Sequence, residues 1–161
     1  MEFSVLQNKK PGCCQPGFPY SYQVNRLEVA LDTYAEVVDL EATNFFVVVA
    51  EAHNEPRTLT DPTAHAEVLA IRRAAQALGN ERLEDCDLYV TLEPCAMCAA
   101  AISFARIRRL YYGARDKKGG AVEHGPRFFH QPTCHHAPDV YSGFLEEEAA
   151  SLLRDFFASR R

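Results

Sequence analysis

The chain has 161 residues, of which 47% are hydrophobic and 24% are charged, a composition typical of one globular domain. Its longest apolar run, residues 45–50, is far shorter than the roughly 20 residues that a membrane-spanning helix needs. The formal net charge of -5 argues against a protein that coats nucleic acid without selectivity. Because no basic segment followed by an apolar one opens the chain, we expect no secretory signal and a cytoplasmic location with reduced thiols.

The first third of the chain is expected to differ from the rest. Residues 1–23 are rich in Pro and Gly and follow neither the helical nor the strand period, so we predict an irregular or appended leader ahead of a single domain over residues 24–161. Apolar residues recur at helical spacing over residues 25–34, which predicts a helix. Residues 45–50 are short, aromatic and β-branched, which predicts a buried strand.

The remaining chain alternates predicted strands with predicted helices. In order, we predict a helix capped by Asp61-Pro62-Thr63 and ending at Gly79, a strand over 87–92, a helix over 95–106, a strand over 109–113, a loop over 116–137, a strand over 139–142 and an amphipathic helix over 145–161. This alternation predicts an α/β fold with helices on both faces of a sheet.

Two cysteines, Cys95 and Cys98, stand three residues apart in the stretch T-L-E-P-C-A-M-C, directly behind Pro94. Proline favours the first turn of a helix, so both thiols are expected on one face at a helix N-terminus. The partial positive charge there favours thiolates, which are the metal-binding form of cysteine. The pair alone is open to two interpretations, a redox-active C-x-x-C pair or part of a zinc site.

The stretch His65-Ala66-Glu67 supplies a further ligand type at the start of the preceding predicted helix. One histidine and two cysteines make three protein ligands, the number typical of a catalytic zinc that keeps a position open for water. Zinc lowers the pKa of such a water, and Glu67 is a candidate to accept its proton. Spacing leaves the geometry open, because residues i and i+2 of a regular helix face different directions.

These two stretches together match the H-x-E…P-C-x-x-C signature of the zinc-dependent nucleoside and nucleobase deaminases. Longer matches accompany the signature, and with them the chain resembles the bacterial tRNA-specific adenosine deaminases of the TadA type. The matching segments are residues 61–67, 88–95, 113–116 and 152–157. The resemblance extends from about residue 52 to residue 161.

The resemblance implies a fold, a reaction and partners. The fold would be a three-layer α/β/α arrangement of the cytidine-deaminase type, with a mixed sheet of about five strands between helices. The reaction would be the hydrolytic conversion of adenosine to inosine at the wobble position of tRNA, with ammonia released. The tRNA anticodon arm and a second copy of the chain, in a homodimer, would be the partners, with no membrane involved.

The resemblance also implies a role for six residues and one Zn²⁺ per chain. The implied metal ligands are His65, Cys95 and Cys98. Glu67 would carry the proton as the catalytic residue. Asn54 would hydrogen-bond the flipped base, and Asp116 would lie near the ribose of the target nucleotide.

The chain departs from this family where the first strand is expected. That strand reads roughly P-V-G-A-V in the family, whereas residues 36–44 lack its proline and glycine and include Asp39 and Glu41. Because burying an unpaired charge is costly, these are poor residues for a strand inside a sheet. We therefore expect an altered first strand and an altered wall of the base pocket.

Two other functions remain open at this point. One is deamination of a free nucleobase or nucleoside, such as guanine or cytidine; the other is a zinc-stabilised RNA-binding protein without catalysis, against which Glu67 argues. A local excess of positive charge favours RNA, because residues 104–127 hold seven basic and two acidic side chains. The basic residues are Arg106, Arg108, Arg109, Arg115, Lys117, Lys118 and Arg127.

Overall fold

The computed structural model describes residues 34–39 and 47–159. Five strands and three α-helices follow one another in this part of the chain. The order is β1 (Tyr34–Asp39), β2 (Val47–His53), α1 (Ala66–Leu78), β3 (Cys86–Leu92), α2 (Ala96–Phe104), β4 (Arg109–Ala114), a short 3₁₀ helix (Phe128–His130), β5 (Asp139–Ser142) and α3 (Glu146–Ala158). The predicted leader and most of the predicted helix over 25–34 lie outside the described residues, but Tyr34 begins a strand and not the end of a helix.

The strands form one mixed sheet in the order β2-β1-β3-β4-β5. Strand β1 is antiparallel to both of its neighbours, whereas β3, β4 and β5 are parallel. The prediction of a mixed five-stranded α/β sheet is confirmed. The parallel half requires crossover connections: α2 lies in the one from β3 to β4, and the segment with the 3₁₀ helix joins β4 to β5.

The first strand corrects the expectation from the sequence. Residues 34–39 pair with both β2 and β3 and lie inside the sheet, and a register shift between Val37 and Val38 accommodates the irregular pairing with β2. Asp39 is the last residue of the strand, opposite Val47 and Cys86, and Glu41 lies outside the described residues. Asp39 therefore falls at the end of the strand, and the sheet keeps five strands.

Helices cover both faces of the sheet. On one face α1 packs against β1, β2 and α2, over a core that includes Leu88, Leu110 and Tyr112. On the other face α3 packs against β3 and β4. Gly113 permits this approach, since a Cβ atom there would lie 2.5 Å from the Cβ of Ala149 on α3. Successive residues of a strand face opposite sides of the sheet, so the core around Tyr112 and the α3 contact at Gly113 lie on opposite faces. This confirms the three-layer arrangement.

Three tyrosines stack across the parallel half of the sheet. Tyr89, Tyr111 and Tyr141 occupy neighbouring positions on β3, β4 and β5. Their ring centroids are 4.5 and 4.7 Å apart, with nearly parallel planes. Phe144 meets Tyr89 and Tyr111 edge-on, in the T-shaped geometry that aromatic rings favour. The stack ties the edge strand β5 to the interior strands.

The boundaries of α1 and α2 differ from the predicted ones by one or two residues for local reasons. Helix α1 begins at Ala66, and the carboxylate of Asp61 instead accepts hydrogen bonds from the N–H and hydroxyl of Thr63, at 2.8 and 2.6 Å. Helix α2 ends at Phe104, because Arg106 has a φ of +59°, which no helix continues through. No helix among the described residues is long and apolar enough to cross a membrane.

Candidate active site

The starts of α1 and α2 form the centre of the site. His65 is the N-cap of α1 and Cys95 is the N-cap of α2, and both have extended backbone angles. The sequence predicts these residues inside the first turns, and the structure places each one residue earlier. With His65 outside the helix, the i, i+2 restriction on two residues within a helix does not apply to His65 and Glu67.

His65, Cys95 and Cys98 come together as a cluster of metal-binding atoms. The Sγ atoms of the two cysteines are 3.6 Å apart, and the Nδ1 atom of His65 lies 3.7 Å from Cys95 Sγ and 3.5 Å from Cys98 Sγ. Zinc bonds of about 2.3 Å to sulfur and about 2.0 Å to nitrogen, arranged tetrahedrally, place ligand atoms about 3.8 Å (S to S) and about 3.6 Å (S to N) apart. The three side chains therefore fit a zinc ion.

The position of His65 argues against the redox interpretation of the C-x-x-C pair. The two sulfurs are 3.6 Å apart as free thiols, a separation that suits a reduced pair and a metal site alike. A histidine nitrogen within 3.7 Å of both sulfurs is a metal-site feature that a redox pair does not need. The geometry favours metal binding.

The two thiols have unequal acidities because they share a hydrogen bond. The hydrogen bond between the two thiols, together with backbone N–H groups at the start of α2, lowers the pKa of Cys95 to about 5. The same hydrogen bond, with burial, raises the pKa of Cys98 well above its usual value. Because cysteine binds metals as the thiolate, binding of a cation would release the proton that the two sulfurs share.

Glu67 lies in the first turn of α1, and only 3% of its surface is exposed. Burial raises the pKa of its carboxyl above the usual value, and its own backbone N–H opposes the shift only in part. The carboxylate belongs to the helix turn that directly follows the ligand candidate His65, and the nearby thiols of Cys95 and Cys98 are among the smaller influences on its pKa. A buried carboxyl with a raised pKa is well suited to take up and return a proton near neutral pH.

Asn54 follows the end of β2 and reaches the start of α1. Its Oδ1 atom accepts the N–H of Ala66 at 2.8 Å, which satisfies one of the free donors at the helix N-terminus. That donor fixes the orientation of the amide, so the Nδ2 group is the end that remains for another partner. Asn54 therefore positions the helix start next to His65, a role that the sequence did not indicate.

Asp116 lies in the loop after β4 and is half-buried. Its Oδ1 atom accepts the N–H groups of Lys118 and Gly119, at 2.9 and 3.0 Å, so the carboxylate helps to turn its own loop. The structure does not place Asp116 within the metal cluster. It lines a groove of about 540 Å³ between the end of β3, this loop and the last turns of α3. The other lining residues are Leu92, Arg115, Leu153, Arg154, Phe157 and Ala158.

The basic stretch over 104–127 does not form one surface. Arg108 and Arg109 lie at the start of β4, where their guanidinium groups are 2.9 and 3.6 Å from the buried carboxylate of Asp87. Arg115 lies beyond the other end of β4, paired with Glu123 and Glu146. The local excess of positive charge noted in the sequence is therefore divided between the two ends of β4, because a six-residue strand separates the two groups.

Glu93 is a site residue that sequence reasoning missed. It stands two residues before Cys95, and only 2% of its surface is exposed. Burial alone would raise the pKa of its carboxyl, but hydrogen bonds from the backbone and side chain of His124 and from other loop N–H groups leave the pKa below its usual value. The sequence shows that Glu93 stands between a predicted strand and a predicted metal-binding helix start. It does not show which groups would hydrogen-bond the carboxylate.

The fold and the cluster define the class of protein. The protein has a mixed sheet between helices, with one histidine and two cysteines at two helix starts. A buried glutamate follows the histidine by two residues. This is the arrangement of the H-x-E…P-C-x-x-C deaminases. A model of the MafB19-like deaminases matches residues 23–161. The chain belongs to this deaminase family.

Curated relatives and solved structures agree with this assignment. The chain is 69% identical over 114 residues to a tRNA-specific adenosine deaminase of Agrobacterium fabrum, covering 71% of this chain and 75% of the relative. It is 42% identical over 127 residues to the enzyme of the same name from Rickettsia bellii, covering 79% of this chain and 86% of the relative.

Two solved structures were compared with the fold. One comes from a study of A-to-I editing by tRNA:A34 deaminases at the wobble position; it is 63% identical, has a TM-score of 0.70, and the match covers 74% of this chain and 83% of that one. The other is a guanine deaminase from Nitrosomonas europaea, 24% identical with a TM-score of 0.63 over 78% of this chain and 72% of that one. At this identity, the comparison with the guanine deaminase supports a shared fold and nothing further.

Proposed function

We propose that this chain is a zinc-dependent tRNA adenosine deaminase that converts the wobble adenosine of an anticodon arm to inosine. The observation that carries the proposal is the His65, Cys95 and Cys98 cluster, with metal-ligand spacing and the buried Glu67 beside it. The 69% identity to a protein named as a tRNA-specific adenosine deaminase supports the substrate class. Water enters the reaction, the exocyclic amine of adenine leaves as ammonia, and a carbonyl takes its place.

The residues of the site divide this work. One zinc ion per chain, held by the three ligands, would supply Lewis-acid activation of water. Glu67 accepts a proton at its carboxylate oxygen and returns it to the departing amine, a transfer that its raised pKa favours. Asn54 donates its free Nδ2 hydrogens to the base, because its Oδ1 is already engaged by α1.

The groove beside Asp116 is the proposed seat of the anticodon loop. Asp116 contacts the ribose of the target nucleotide from one side of the groove. Arg154 and Phe157 line the other side, and 55% of the surface of Phe157 is exposed. Exposed aromatic and cationic side chains suit single-stranded RNA, whose bases stack on rings and whose phosphates pair with arginine.

The organisation of the chain and its assembly belong to the same proposal. Residues 24–161 form the deaminase domain and residues 1–23 are an appended leader; the family match over 23–161 supports this division. The enzyme acts in the cytoplasm as a homodimer, in keeping with the family resemblance.

The test measures inosine in an anticodon stem-loop with adenosine at the wobble position, alongside free adenosine, cytidine and guanine. Wild type should form inosine in the RNA, and Glu67→Gln should lose activity at least 100-fold while keeping one zinc per chain, because the amide cannot carry the proton. The matched control is Glu84→Gln, which changes an exposed glutamate. Turnover of guanine or cytidine without inosine in the RNA would refute the tRNA assignment, and full activity of Glu67→Gln would refute the proton role.

The groove has a separate test. Phe157→Ala should raise KM for the stem-loop about 5- to 150-fold with little change in kcat, since stacking on one base contributes about 1–3 kcal/mol, and Arg154→Ala should raise KM by loss of a phosphate contact. Phe104→Ala is the matched control, because Phe104 is an exposed aromatic residue outside the groove. Equal KM values for Phe157→Ala and Phe104→Ala would contradict the proposed seat.

A further inference from the structure

We propose that Glu93 is a positioning residue, whose buried carboxylate folds residues 116–124 and holds Asp116 at the mouth of the site. The inference rests on the proposed function for the role of Asp116 at the ribose. The folding of the loop around Glu93 is a property of the chain that can be measured without substrate.

Glu93 is surrounded by the loop it organises. Its Oε1 atom accepts three consecutive backbone N–H groups, those of Val122, Glu123 and His124, at 3.1, 2.9 and 3.0 Å. Its Oε2 atom accepts the N–H of Asp116 at 3.1 Å and lies 2.7 Å from Nδ1 of His124. The carboxylate thus joins the first and last residues of a nine-residue segment.

The loop is also joined to the metal-binding helix start. Gly120 forms an isolated β-bridge with Cys95, and the N–H of Ala121 donates to the carbonyl of Pro94 at 2.9 Å. A Cβ atom on Gly120 would lie 2.5 Å from both the Cδ of Glu93 and the carbonyl oxygen of Asp116. Carboxylate, loop and metal ligand therefore form one closely packed unit.

The chemistry explains why a glutamate stands at this position. A buried carboxylate must be hydrogen-bonded to be tolerated, and consecutive backbone N–H groups form a concave anion site. Within residues 34–39 and 47–159, all the side-chain hydrogen bonds of Glu93 come from residues 116–124. The two oxygens divide the backbone contacts: Oε1 accepts the N–H groups of residues 122–124, and Oε2 accepts the N–H of Asp116 and contacts the His124 ring.

This division allows a selective substitution. Glu93→Gln keeps an acceptor at Oε1 for the three N–H groups, and its amide can donate to Nδ1 of His124. At the Oε2 position, however, the amide NH₂ faces the N–H of Asp116, and two donors cannot bond. The substitution should therefore release Asp116 and leave residues 122–124 in place.

The first measurement is hydrogen exchange of the zinc-loaded full chain. In Glu93→Gln the amide of Asp116 should exchange at least tenfold faster than in wild type, with the amides of residues 122–124 changed less than about threefold. Glu84→Gln serves as the exposed control. Unchanged exchange at Asp116, or equal acceleration across residues 116–124, would overturn the proposal.

The second measurement separates positioning from loss of structure. KM for the anticodon stem-loop should rise about tenfold in Glu93→Gln, the loss of about one hydrogen bond's contribution, while kcat and zinc content stay within about threefold of wild type. In an Asp116→Ala background, Glu93→Gln should raise KM no further, because its effect passes through Asp116. An additive rise in the double variant would overturn the proposal.

A milder variant covers the case in which Glu93→Gln fails to fold. His124→Ala removes the side-chain contact to Oε2 and should accelerate exchange at Asp116 in the same direction by a smaller factor; no change there would overturn the proposal. If wild type makes no inosine but exchange responds as expected, the proposed function fails while the positioning by Glu93 stands.

Discussion

The two ends of the Asn54 amide allow its structural and substrate roles to be separated by a pair of substitutions. Oδ1 accepts the N–H of Ala66 at 2.8 Å, and Nδ2 is the proposed donor to the base. Asn54→Asp keeps the acceptor and loses the donor, whereas Asn54→Ala loses both. The comparison needs only the zinc-loaded enzyme and its anticodon stem-loop.

The expected stability changes follow from the helix cap. Losing a side-chain acceptor at a helix start costs about 1 kcal/mol, which in a chain of this length lowers Tm by about 2–4 °C. Asn54→Ala should show this loss. Asn54→Asp should melt at or above the wild-type temperature, because a negative charge at a helix N-terminus is favourable.

The expected kinetic changes run differently. A missing hydrogen bond to the buried base costs about 1–3 kcal/mol in transition-state binding, or about 5- to 150-fold in kcat/KM. Both variants should lose activity by a factor in this range, so Asn54→Asp should be a stable enzyme with impaired turnover. Thermal melts and initial rates of inosine formation check the two parts. Wild-type activity in Asn54→Asp would refute the base contact, and a melt as low as that of Asn54→Ala would refute the cap.

Three further predictions concern the metal and the packing. Chelation of zinc should lower the free energy of unfolding by about 4 kcal/mol relative to protein in zinc at 1,000 times its Kd, as thermal melts can measure. The melting temperature of Cys98→Ser should rise much less on addition of zinc. Asp87→Ala should lower the free energy of unfolding by about 3 kcal/mol in denaturant titrations, because Arg108, only 28% exposed, loses the carboxylate 2.9 Å away. A loss indistinguishable from zero would contradict the ion pair. Gly113→Ala should cost about 1–3 kcal/mol by overpacking against α3, and Ala149→Gly in the double variant should recover part of it; strict additivity would contradict the contact.

The parts of the fold predicted from the sequence are those specified by local pattern. Strands β3 and β4 are apolar runs bounded by turn residues, and β5 occupies the predicted range 139–142. Strand β1 was not predictable in this way, because residues 34–39 carry mixed polarity. Their strand state comes from pairing with β2 on one side and β3 on the other, and β3 is about 50 residues away in sequence.

The site shows the same division between local and distant causes. The motif predicted which side chains gather, and the structure brings His65, Cys95 and Cys98 within metal-ligand distance. Glu93 was missed because its hydrogen-bond partners lie 23 to 31 residues further along the chain. The basic stretch is divided for the converse reason, since neighbours in sequence separate when a strand runs between them.

The tyrosine stack makes the parallel half of the sheet visible to optical spectroscopy. The chain contains no tryptophan, so its near-ultraviolet circular dichroism comes largely from tyrosine and phenylalanine. Rings held at 4.5 and 4.7 Å in fixed orientation couple strongly, and the signal disappears when side-chain packing is lost even if the strands persist. Because Tyr141 lies on the edge strand β5, detachment of that strand alone would register. The enzyme thus carries an unlabelled reporter that can be followed in parallel with zinc release, revealing which half of the molecule opens first.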